Sequence, residues 1–337
     1  MKILVVRRDN IGDLVLTTPV FVALRKHFPG ARIEALVNSY NAPVLEGHPD
    51  IDAVHVYTKS KHRESAWDAL PEWAGRLRQG LALRAERFDH VLLPSPGLHP
   101  RQVRLARWLR PRHIASFCPP GAVPRGVDLP VEYRGPQGRH HVEDTYRILE
   151  AFGIEPPPPP LRIGREPVAL PRPDAPLIGV HVSARRPRNR WPESRFVDLI
   201  AALHDSLGLR FRLFWAPGVE GDPRHPGDDE KARRILERTR PIPVEPLETR
   251  DLRGLITGLA GCDALVCSDG GAMHLAAALR KPILCFFGDS DASHWHPWSV
   301  PYRLLQPASG NAWDIGVQAA LEAFADLAGE IALARAA

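Results

Sequence analysis

Short apolar runs rich in β-branched residues alternate along this chain with longer stretches whose apolar positions recur every three or four residues. The first pattern predicts buried strands, and the second predicts amphipathic helices. In the first half of the chain the predicted strands cover residues 2–6, 31–37, 53–57, 89–94 and 113–117. Helical periodicity separates them, for example over residues 14–28 and 66–87. Strands that alternate with helices predict an α/β fold with a parallel sheet.

A proline-rich stretch in the middle of the chain separates two such α/β units. The helical pattern that begins near His140 ends at Gly153, and five consecutive prolines follow at 156–160. Proline fixes its own backbone and donates no hydrogen bond, so this run continues neither a helix nor a central strand. The second unit has predicted strands at residues 176–182, 209–217, 262–268 and 281–288, and an alanine-rich helix at 313–334.

These patterns predict an α/β fold of two Rossmann-like domains, whose parallel sheets face each other across a cleft. The predicted parts are an N-terminal domain at 1–155, a proline-rich linker at 156–175, a C-terminal domain at 176–311, and a helix at 312–337 that packs back toward the N-terminal domain. Ligands of open α/β sheets bind beyond the carboxyl ends of the strands, so we expect functional residues there.

Composition narrows the class of protein. The chain has 337 residues, is 44% apolar and carries a net charge of +5, with arginines spread along its whole length. Dispersed charge argues against a nucleic-acid-binding protein, which would cluster basic residues with stacking aromatics. The four cysteines lack the C-x-x-C spacing of zinc and redox sites. The first residues offer only a short apolar run before two arginines, so we expect no signal peptide and a cytosolic protein.

The sequence IGD at 11–13 follows the first predicted strand. Gly12 suits a tight turn, and Asp13 suits the N-cap of the next helix. A carboxylate at the end of a strand also suits a general base, so two interpretations of Asp13 stay open. The dinucleotide fingerprint G-x-G-x-x-G is missing from this loop, which argues against a nicotinamide dehydrogenase.

Arginines crowd the loop after the first strand of the second unit, at Arg185, Arg186, Arg188 and Arg190. Arginine binds phosphate through planar, paired hydrogen bonds, so this loop suits an anionic ligand. A solvated basic loop is the alternative interpretation.

The segment CSDGGAMHLAAA at 267–278 carries the clearest signal in the chain. A strand, a turn at Asp269-Gly270-Gly271 and a helix directly after it aim backbone N–H groups at an anion, and the glycines allow a close approach. His274 lies in the first turn of that helix, where it either faces the ligand or is a structural residue.

A short acidic motif, Asp289-Ser290-Asp291, follows the next predicted strand. It resembles the D-x-D metal site of some sugar transferases. The surrounding loop offers nothing that completes an oxygen shell, so we interpret the motif as turn capping.

Together these segments resemble glycosyltransferase family 9, the ADP-heptose:lipopolysaccharide heptosyltransferases, across nearly the whole chain. The resemblance rests on IGD at 11–13, HHVEDTYRILEAFGI at 140–154, NRWPESRF at 189–196 and SDGGAMHLAAALRKPILCFFGDSD at 268–291. It implies the GT-B fold, catalysis without a metal, and transfer of heptose from ADP-heptose to the inner core of lipopolysaccharide. It also implies a donor site in the C-terminal domain and an acceptor site in the N-terminal one.

The resemblance assigns roles to individual residues. It implies that Asp13 is the catalytic base, and it places Asn189 where the family usually has a lysine that meets the donor phosphates. Asp229 and Glu230 are alternatives for the acidic residue near the nucleoside. The predicted donor contacts are Ser183, Arg188, Asn189, Arg190, Asp229, Glu230, Asp269, Gly270, Gly271, Met273 and His274.

The acceptor implied by the family is anionic, because core sugars next to lipid A carry carboxylates and phosphates. The predicted acceptor contacts are Gly12, Lys59, Lys61, Arg63, Arg101 and Arg104. Apolar residues interleave with Arg101 and Arg104, so that stretch suits either an anionic membrane surface or a solvated helix face. Alternatives within the same fold are a transferase with another donor or acceptor, and a nucleotide-sugar epimerase.

Overall fold

The computed structural model describes residues 1–57, 70–164, 175–222 and 227–336, and the chain divides into two compact units, Met1–Arg165 and Glu166–Ala337. Within the described ranges each unit contains one sheet of six parallel strands. The strands of the first unit are β1 (Lys2–Arg7), β2 (Arg32–Asn38), β3 (Ala53–Tyr57), β4 (His90–Leu93), β5 (His113–Cys118) and β6 (Leu129–Glu132). Those of the second unit are β7 (Leu177–His181), β8 (Arg210–Trp215), β9 (Val244–Glu248), β10 (Ala264–Ser268), β11 (Ile283–Phe286) and β12 (Tyr302–Leu305).

Helices connect these strands. The first unit contains α1 (Ile11–Val15), α2 (Thr18–His27), α3 (Leu70–Ala85), α4 (Pro100–Leu109) and α5 (His141–Tyr146). The second contains α6 (Glu193–Leu207), α7 (Asp229–Arg238), α8 (Leu252–Ala260), α9 (Gly271–Ala278), α10 (Ala292–Trp295) and α11 (Val317–Ala336). Among the described helices, none has the length and apolar composition that crossing a bilayer requires.

The two sheets have the same strand order. The first runs β3-β2-β1-β4-β5-β6, and the second runs β9-β8-β7-β10-β11-β12 when it is followed from the β9 edge. This order confirms the predicted doubly wound α/β fold. The winding reverses between β1 and β4 and between β7 and β10, so the loops after those strands open side by side. Such switch points are where open α/β sheets bind ligands.

Three strands escaped prediction, and all three lie at sheet edges: β6, β9 and β12. Pro130 lies in β6 and Pro246 lies in β9. Within sheets, proline is tolerated mainly in edge strands, because it has no backbone N–H to donate. The residues of β9 and β12 are only half-buried, so they lack the continuous apolar pattern of the central strands.

The helix predicted over residues 14–28 is two helices, α1 and α2. Pro19 is the second residue of α2 and supplies no backbone N–H, so it begins a new helix instead of continuing the first. Between the two helices the Thr17 hydroxyl donates to the Asp13 carbonyl oxygen at 2.7 Å. The break places the residues that follow β1 in a short, separate turn of helix.

The described residues in the first half of the predicted linker belong structurally to the first unit. Leu161 and Ile163 are buried, and the Gly164 N–H donates to the Val44 carbonyl oxygen at 2.7 Å. The Arg162 N–H donates to the Thr18 hydroxyl at 3.1 Å. Residues 165–174 lie outside the described ranges, and for them the linker stays a prediction.

The last helix, α11, packs against α6, β11 and β12 of the second unit. Phe324 and Leu327 are fully buried in that unit's core, and each such side chain contributes roughly 1.5–3 kcal/mol by leaving water. The predicted return of this helix toward the N-terminal domain stays a prediction.

Candidate active site

The first switch point is built around Arg7, the last residue of β1. Its side chain is buried, and its Nη2 lies 3.4 Å from Asp13 Oδ1. Its Nε lies 3.4 Å from Asp9 Oδ2. The Ser95 hydroxyl, which follows β4, donates to the same Asp9 oxygen at 2.9 Å. Side chains from the loops after β1 and β4 therefore meet as the strand order requires.

Asp13 is the third residue of α1, and the N-cap is Asn10. The predicted N-cap position of Asp13 is therefore wrong, because the helix begins earlier than its apolar pattern suggests. The backbone N–H and side-chain amide of Asn10 donate to Asp13 Oδ2 at 3.0 and 2.9 Å. Gly12 is buried inside α1 instead of forming a tight turn before it. Asp13 still stabilises the helix start, as a capping-box carboxylate.

His141 completes this cluster from α5, 134 residues away from Arg7. Its Nε2 lies 3.0 Å from Arg7 Nη2 and 3.7 Å from Asp13 Oδ1. An arginine nitrogen only donates, so Nε2 accepts the hydrogen bond and the ring proton belongs on Nδ1. His141 is thus neutral in this arrangement, and Arg7 supplies the positive charge beside the Asp13 carboxylate.

The predicted acceptor residues fall into two groups. Arg101 and Arg104 are exposed on α4, and Val103 and Leu109 of the same helix are buried in the core. The apolar side of α4 therefore faces the protein interior, and its arginines form a solvated face. Lys59, Lys61 and Arg63 lie outside the described residues.

The second switch point centres on Asn189, which is 2% exposed. Its Nδ2 donates to Asp269 Oδ2 at 3.0 Å, and its Oδ1 accepts from the Gly288 N–H at 3.0 Å. The Ser290 hydroxyl donates to the same Asp269 oxygen at 2.6 Å. We name Asn189, Asp269, Gly288 and Ser290 the loop crosslink, because they join the loops after β7, β10 and β11.

Gly288 is required by the closeness of these loops. A Cβ at this position would lie 2.3 Å from the Arg188 carbonyl oxygen and 2.7 Å from Asn189 Oδ1. Both distances are far below van der Waals contact, so any side chain would force the loops apart. The Gln306 amide donates to the Gly288 carbonyl oxygen at 2.9 Å and holds the strand end from the other side.

Gly270 and Gly271 begin α9 and differ from Gly288 in their surroundings. Gly270 is exposed, its backbone is extended, and no atom lies within 4 Å of where a Cβ would sit. The helix start is therefore open on this side, and its first N–H groups have no partner within their own helix. Met273 and His274, one turn farther on, are buried. The His274 ring lies 6.3 Å from the Trp295 ring, which fits the structural interpretation of this histidine.

The loop arginines differ in how far they are engaged by the protein. Arg190 donates through Nε to the Ala184 carbonyl oxygen at 3.0 Å and through Nη1 to Glu220 at 3.3 Å. Arg188 is more exposed and forms an ion pair of 3.6 Å with Asp289. Of the two, Arg188 keeps more donors for a ligand.

The acidic motif at 289–291 caps a turn. Asp291 accepts hydrogen bonds from the Ser293 N–H and hydroxyl, and these bonds lower the pKa of its carboxyl. It is the N-cap of α10. Within the described parts of the chain, no group of three or more His, Cys, Asp or Glu side chains is arranged to hold a metal ion.

The two candidates for the nucleoside contact have different surroundings. Asp229 accepts from the Trp215 indole N–H and the Gly218 backbone N–H, both at 2.9 Å. Glu230 is paired on the surface with Arg233 in its own helix at 2.7 Å. Asp229, the first residue of α7, is therefore held against the end of β8 and the loop that follows it, where a ligand-binding residue is expected. Ser183 also braces this region, since its hydroxyl accepts from the Ala216 N–H at 2.9 Å.

Sequence reasoning missed Arg7, Asp9, Ser95 and His141 as parts of the first site. In the sequence alone, Arg7 is a single charged residue at the end of a predicted strand, and Ser95 is an ordinary loop residue. The paired histidines that open HHVEDTYR were the one available signal. Only the fold brings these four residues to Asp13.

Solved structures share this architecture. The heptosyltransferase WaaC of E. coli with ADP has a TM-score of 0.75 at 22% identity, over 98% of this chain and 100% of that one. The glycosyl transferase family 9 structure from Veillonella parvula has a TM-score of 0.76 at 21% identity, over 98% and 97%. The fold is thus the GT-B fold.

The family follows from the sequence comparison. The family model for glycosyltransferase family 9 (heptosyltransferase) matches residues 82–322, and the chain belongs to that family. Among similar proteins, lipopolysaccharide heptosyltransferase 1 of Escherichia coli K12 is 26% identical over 97% of this chain and 100% of its own length. The enzyme of the same description from Pseudomonas aeruginosa is 26% identical over 86% of this chain and 79% of its own.

Proposed function

We propose that this protein is an inverting heptosyltransferase, which transfers heptose from ADP-heptose to the inner core of lipopolysaccharide. Family membership supports the class of reaction, and the full-length similarity to lipopolysaccharide heptosyltransferase 1 supports these substrates. A similar structure was solved with ADP-2-deoxy-2-fluoro heptose. The observation that carries the mechanism is the position of Asp13 at the first switch point, held by Arg7 and Asn10.

Asp13 acts in this proposal as the general base. Its carboxylate takes the proton from an acceptor hydroxyl as that oxygen attacks the anomeric carbon of the donor. The bond between the anomeric carbon and the phosphate oxygen breaks, and its electron pair leaves with ADP, so the configuration inverts. Arg7 holds the base by its positive charge, and neutral His141 fixes Arg7 through the hydrogen bond at 3.0 Å.

The second switch point holds the donor in this proposal. The open helix start at Gly270-Gly271 favours negative charge, and so stabilises the diphosphate that gains charge as it leaves. Of Arg188 and Arg190, Arg188 has the more exposed guanidinium, since Arg190 is already bound to Ala184 and Glu220. Asn189 replaces a charged family residue by a neutral crosslink, which makes donor identity the first matter to test.

Titration of the purified protein with ADP-heptose, ADP, UDP and GDP tests the proposed donor. We expect ADP-heptose and ADP to bind more strongly than UDP and GDP. We also expect EDTA to leave this binding unchanged, because the groups assigned to the diphosphate are arginines and backbone N–H groups. Stronger binding of UDP or GDP would favour the second candidate function, a family 9 transferase with another donor, for which Asn189 is the specific observation. Loss of binding in EDTA would contradict the proposal that no metal is needed.

Peripheral contact with an anionic membrane is the proposal for α4. Its Arg101 and Arg104 are exposed, and an acceptor anchored in lipid is presented at such a surface. In vesicle sedimentation we expect the bound fraction to rise with anionic phospholipid and to fall in the double variant Arg101→Glu, Arg104→Glu. The double variant Arg233→Glu, Arg250→Glu, which reverses two exposed charges in the second unit, is the matched control. Binding that ignores lipid charge would contradict the membrane proposal and leave the acceptor proposal in place.

A further inference from the structure

Lys231 is a buried lysine that neither candidate site uses directly. It lies in α7, and 7% of its surface is exposed. Its Nζ donates to the Val182 carbonyl oxygen at 2.8 Å and to the Trp191 carbonyl oxygen at 3.2 Å. Val182 and Trp191 are the residues immediately before and after the segment 183–190, so a single ammonium group ties both ends of that loop to α7.

The loop between those two carbonyls carries much of the predicted donor site. Ser183, Arg188, Asn189 and Arg190 all lie in it, and Asn189 is the member of the loop crosslink that reaches Asp269 and Gly288. The Trp191 end of the loop is also anchored elsewhere, because the buried indole donates to the Ile315 carbonyl oxygen at 3.0 Å. Fixing the two ends relative to each other therefore fixes where the crosslink and the arginines lie.

The buried surroundings of Lys231 disfavour its charged form. Burial lowers the pKa of Lys231 to about 8, with Asp228 opposing and Arg190 adding to the shift, and Glu220 and Glu193 opposing it more weakly. The ammonium lies 5.1 Å above the Phe196 ring. His181 at the end of β7 is neutral, because burial lowers its pKa to about 4.

The lowered pKa of Lys231 makes its contribution to folding stability depend on pH. The folded pKa of Lys231 is below the ordinary value of 10.5, so between about pH 8 and 10.5 the unfolded chain binds more protons than the folded one, and the group's contribution to stability rises with pH there. At neutral pH the buried charge therefore opposes folding through desolvation, although its hydrogen bonds offset part of the loss. An apolar side chain of similar length would avoid that cost.

We infer that Lys231 is a positioning residue for the donor site, which holds the 183–190 loop in its binding conformation through the Val182 and Trp191 carbonyl oxygens. This inference rests on the proposed function, because it takes that loop as the place where the donor diphosphate binds. Lys231 acts through the backbone of the loop and does not itself touch the donor.

The test compares Lys231→Met with Arg238→Met, which removes an exposed positive charge from the same helix. For Lys231→Met we expect ADP binding weaker by about tenfold, faster amide hydrogen exchange confined to residues 183–190, and a melting temperature that is little changed. Arg238→Met should match the wild type in ADP binding and in exchange of the loop. Lys231→Arg, which keeps a donor and the charge, should recover part of the affinity.

The outcomes separate the inference from the function on which it rests. Unchanged exchange in the loop of Lys231→Met, or a lower melting temperature with normal ADP binding, would overturn the positioning role. If Lys231→Met does not fold, the same measurements on Lys231→Gln replace it. Failure of the wild-type protein to bind ADP would count against the proposed function, whereas the exchange comparison would still decide whether Lys231 holds the loop.

Discussion

Replacing Asp13 by asparagine is expected to lower turnover by about 10²- to 10⁴-fold and to leave ADP binding unchanged. In the wild type the Asn10 N–H donates to Asp13 Oδ2 at 3.0 Å. Asparagine keeps an oxygen that accepts this hydrogen bond, so α1 and the position of the side chain are retained. The substitution removes the carboxylate that is proposed to take the acceptor proton. The measurement is the steady-state rate with ADP-heptose and a lipid A-linked core acceptor, alongside titration with ADP.

Asp9→Asn is the matched comparison for this prediction. Asp9 and Asp13 each lie 3.4 Å from a different nitrogen of Arg7, so both substitutions remove one negative charge from the same arginine. We expect Asp9→Asn to lower turnover far less, since Asp9 accepts a hydrogen bond from Ser95 and holds the loop in position. Near-normal turnover in Asp13→Asn, or an equal loss in Asp9→Asn, would show that Asp13 is not the base.

Asp269→Ala is expected to weaken ADP binding by roughly 10- to 100-fold, because the loop crosslink loses its shared acceptor. Asn189 Nδ2 and the Ser290 hydroxyl both donate to Asp269 Oδ2, at 3.0 and 2.6 Å. A buried amide left without its acceptor costs about 1–3 kcal/mol, so the free energy of unfolding should also fall by about that amount. Calorimetric titration with ADP and denaturant unfolding measure the two effects.

Asp291→Ala is the control for the Asp269 prediction. Asp291 lies in the neighbouring loop and caps α10 through Ser293, and it takes no part in the loop crosslink. We expect a small loss of stability, about 1 kcal/mol for a helix N-cap, with unchanged ADP binding. Ser290→Ala removes one of the two donors to Asp269. Its loss of ADP affinity should lie between those of Asp291→Ala and Asp269→Ala. Equal losses of ADP affinity in Asp291→Ala and Asp269→Ala would contradict the role of the crosslink.

Both sites are located by the same topological feature. The loops after β1 and β4 meet at the first switch point, through Asp9 and Ser95. The loops after β7 and β10 meet at the second, through Asn189 and Asp269. Because the two units repeat one strand order, each has one place where such loops open side by side. The proposed base and the proposed donor loops are therefore positioned by equivalent parts of two similar sheets.

The fold was predictable where burial imposes a pattern. The central strands β1, β4, β7 and β10 are buried along nearly their whole length, so their sequences are apolar runs that stand out from the rest of the chain. Edge strands such as β9 are half-buried and carry proline, and their pairing depends on a neighbour that the local sequence does not identify. The exact start of α1 was also missed, because Asn10 acts as its cap through Asp13.

The sequence by itself determined the fold class, the family and the two segments on which the proposed function rests, IGD and SDGG, because strand periodicity and short motifs are local properties of a chain. Tertiary structure alone decided what those segments contact. His141 reaches Arg7 across 134 residues, Asn189 reaches Gly288 across 99, and Lys231 reaches Val182 across 49. Such contacts depend on which strands lie side by side, and that order is a property of the assembled sheet instead of any single stretch of the sequence.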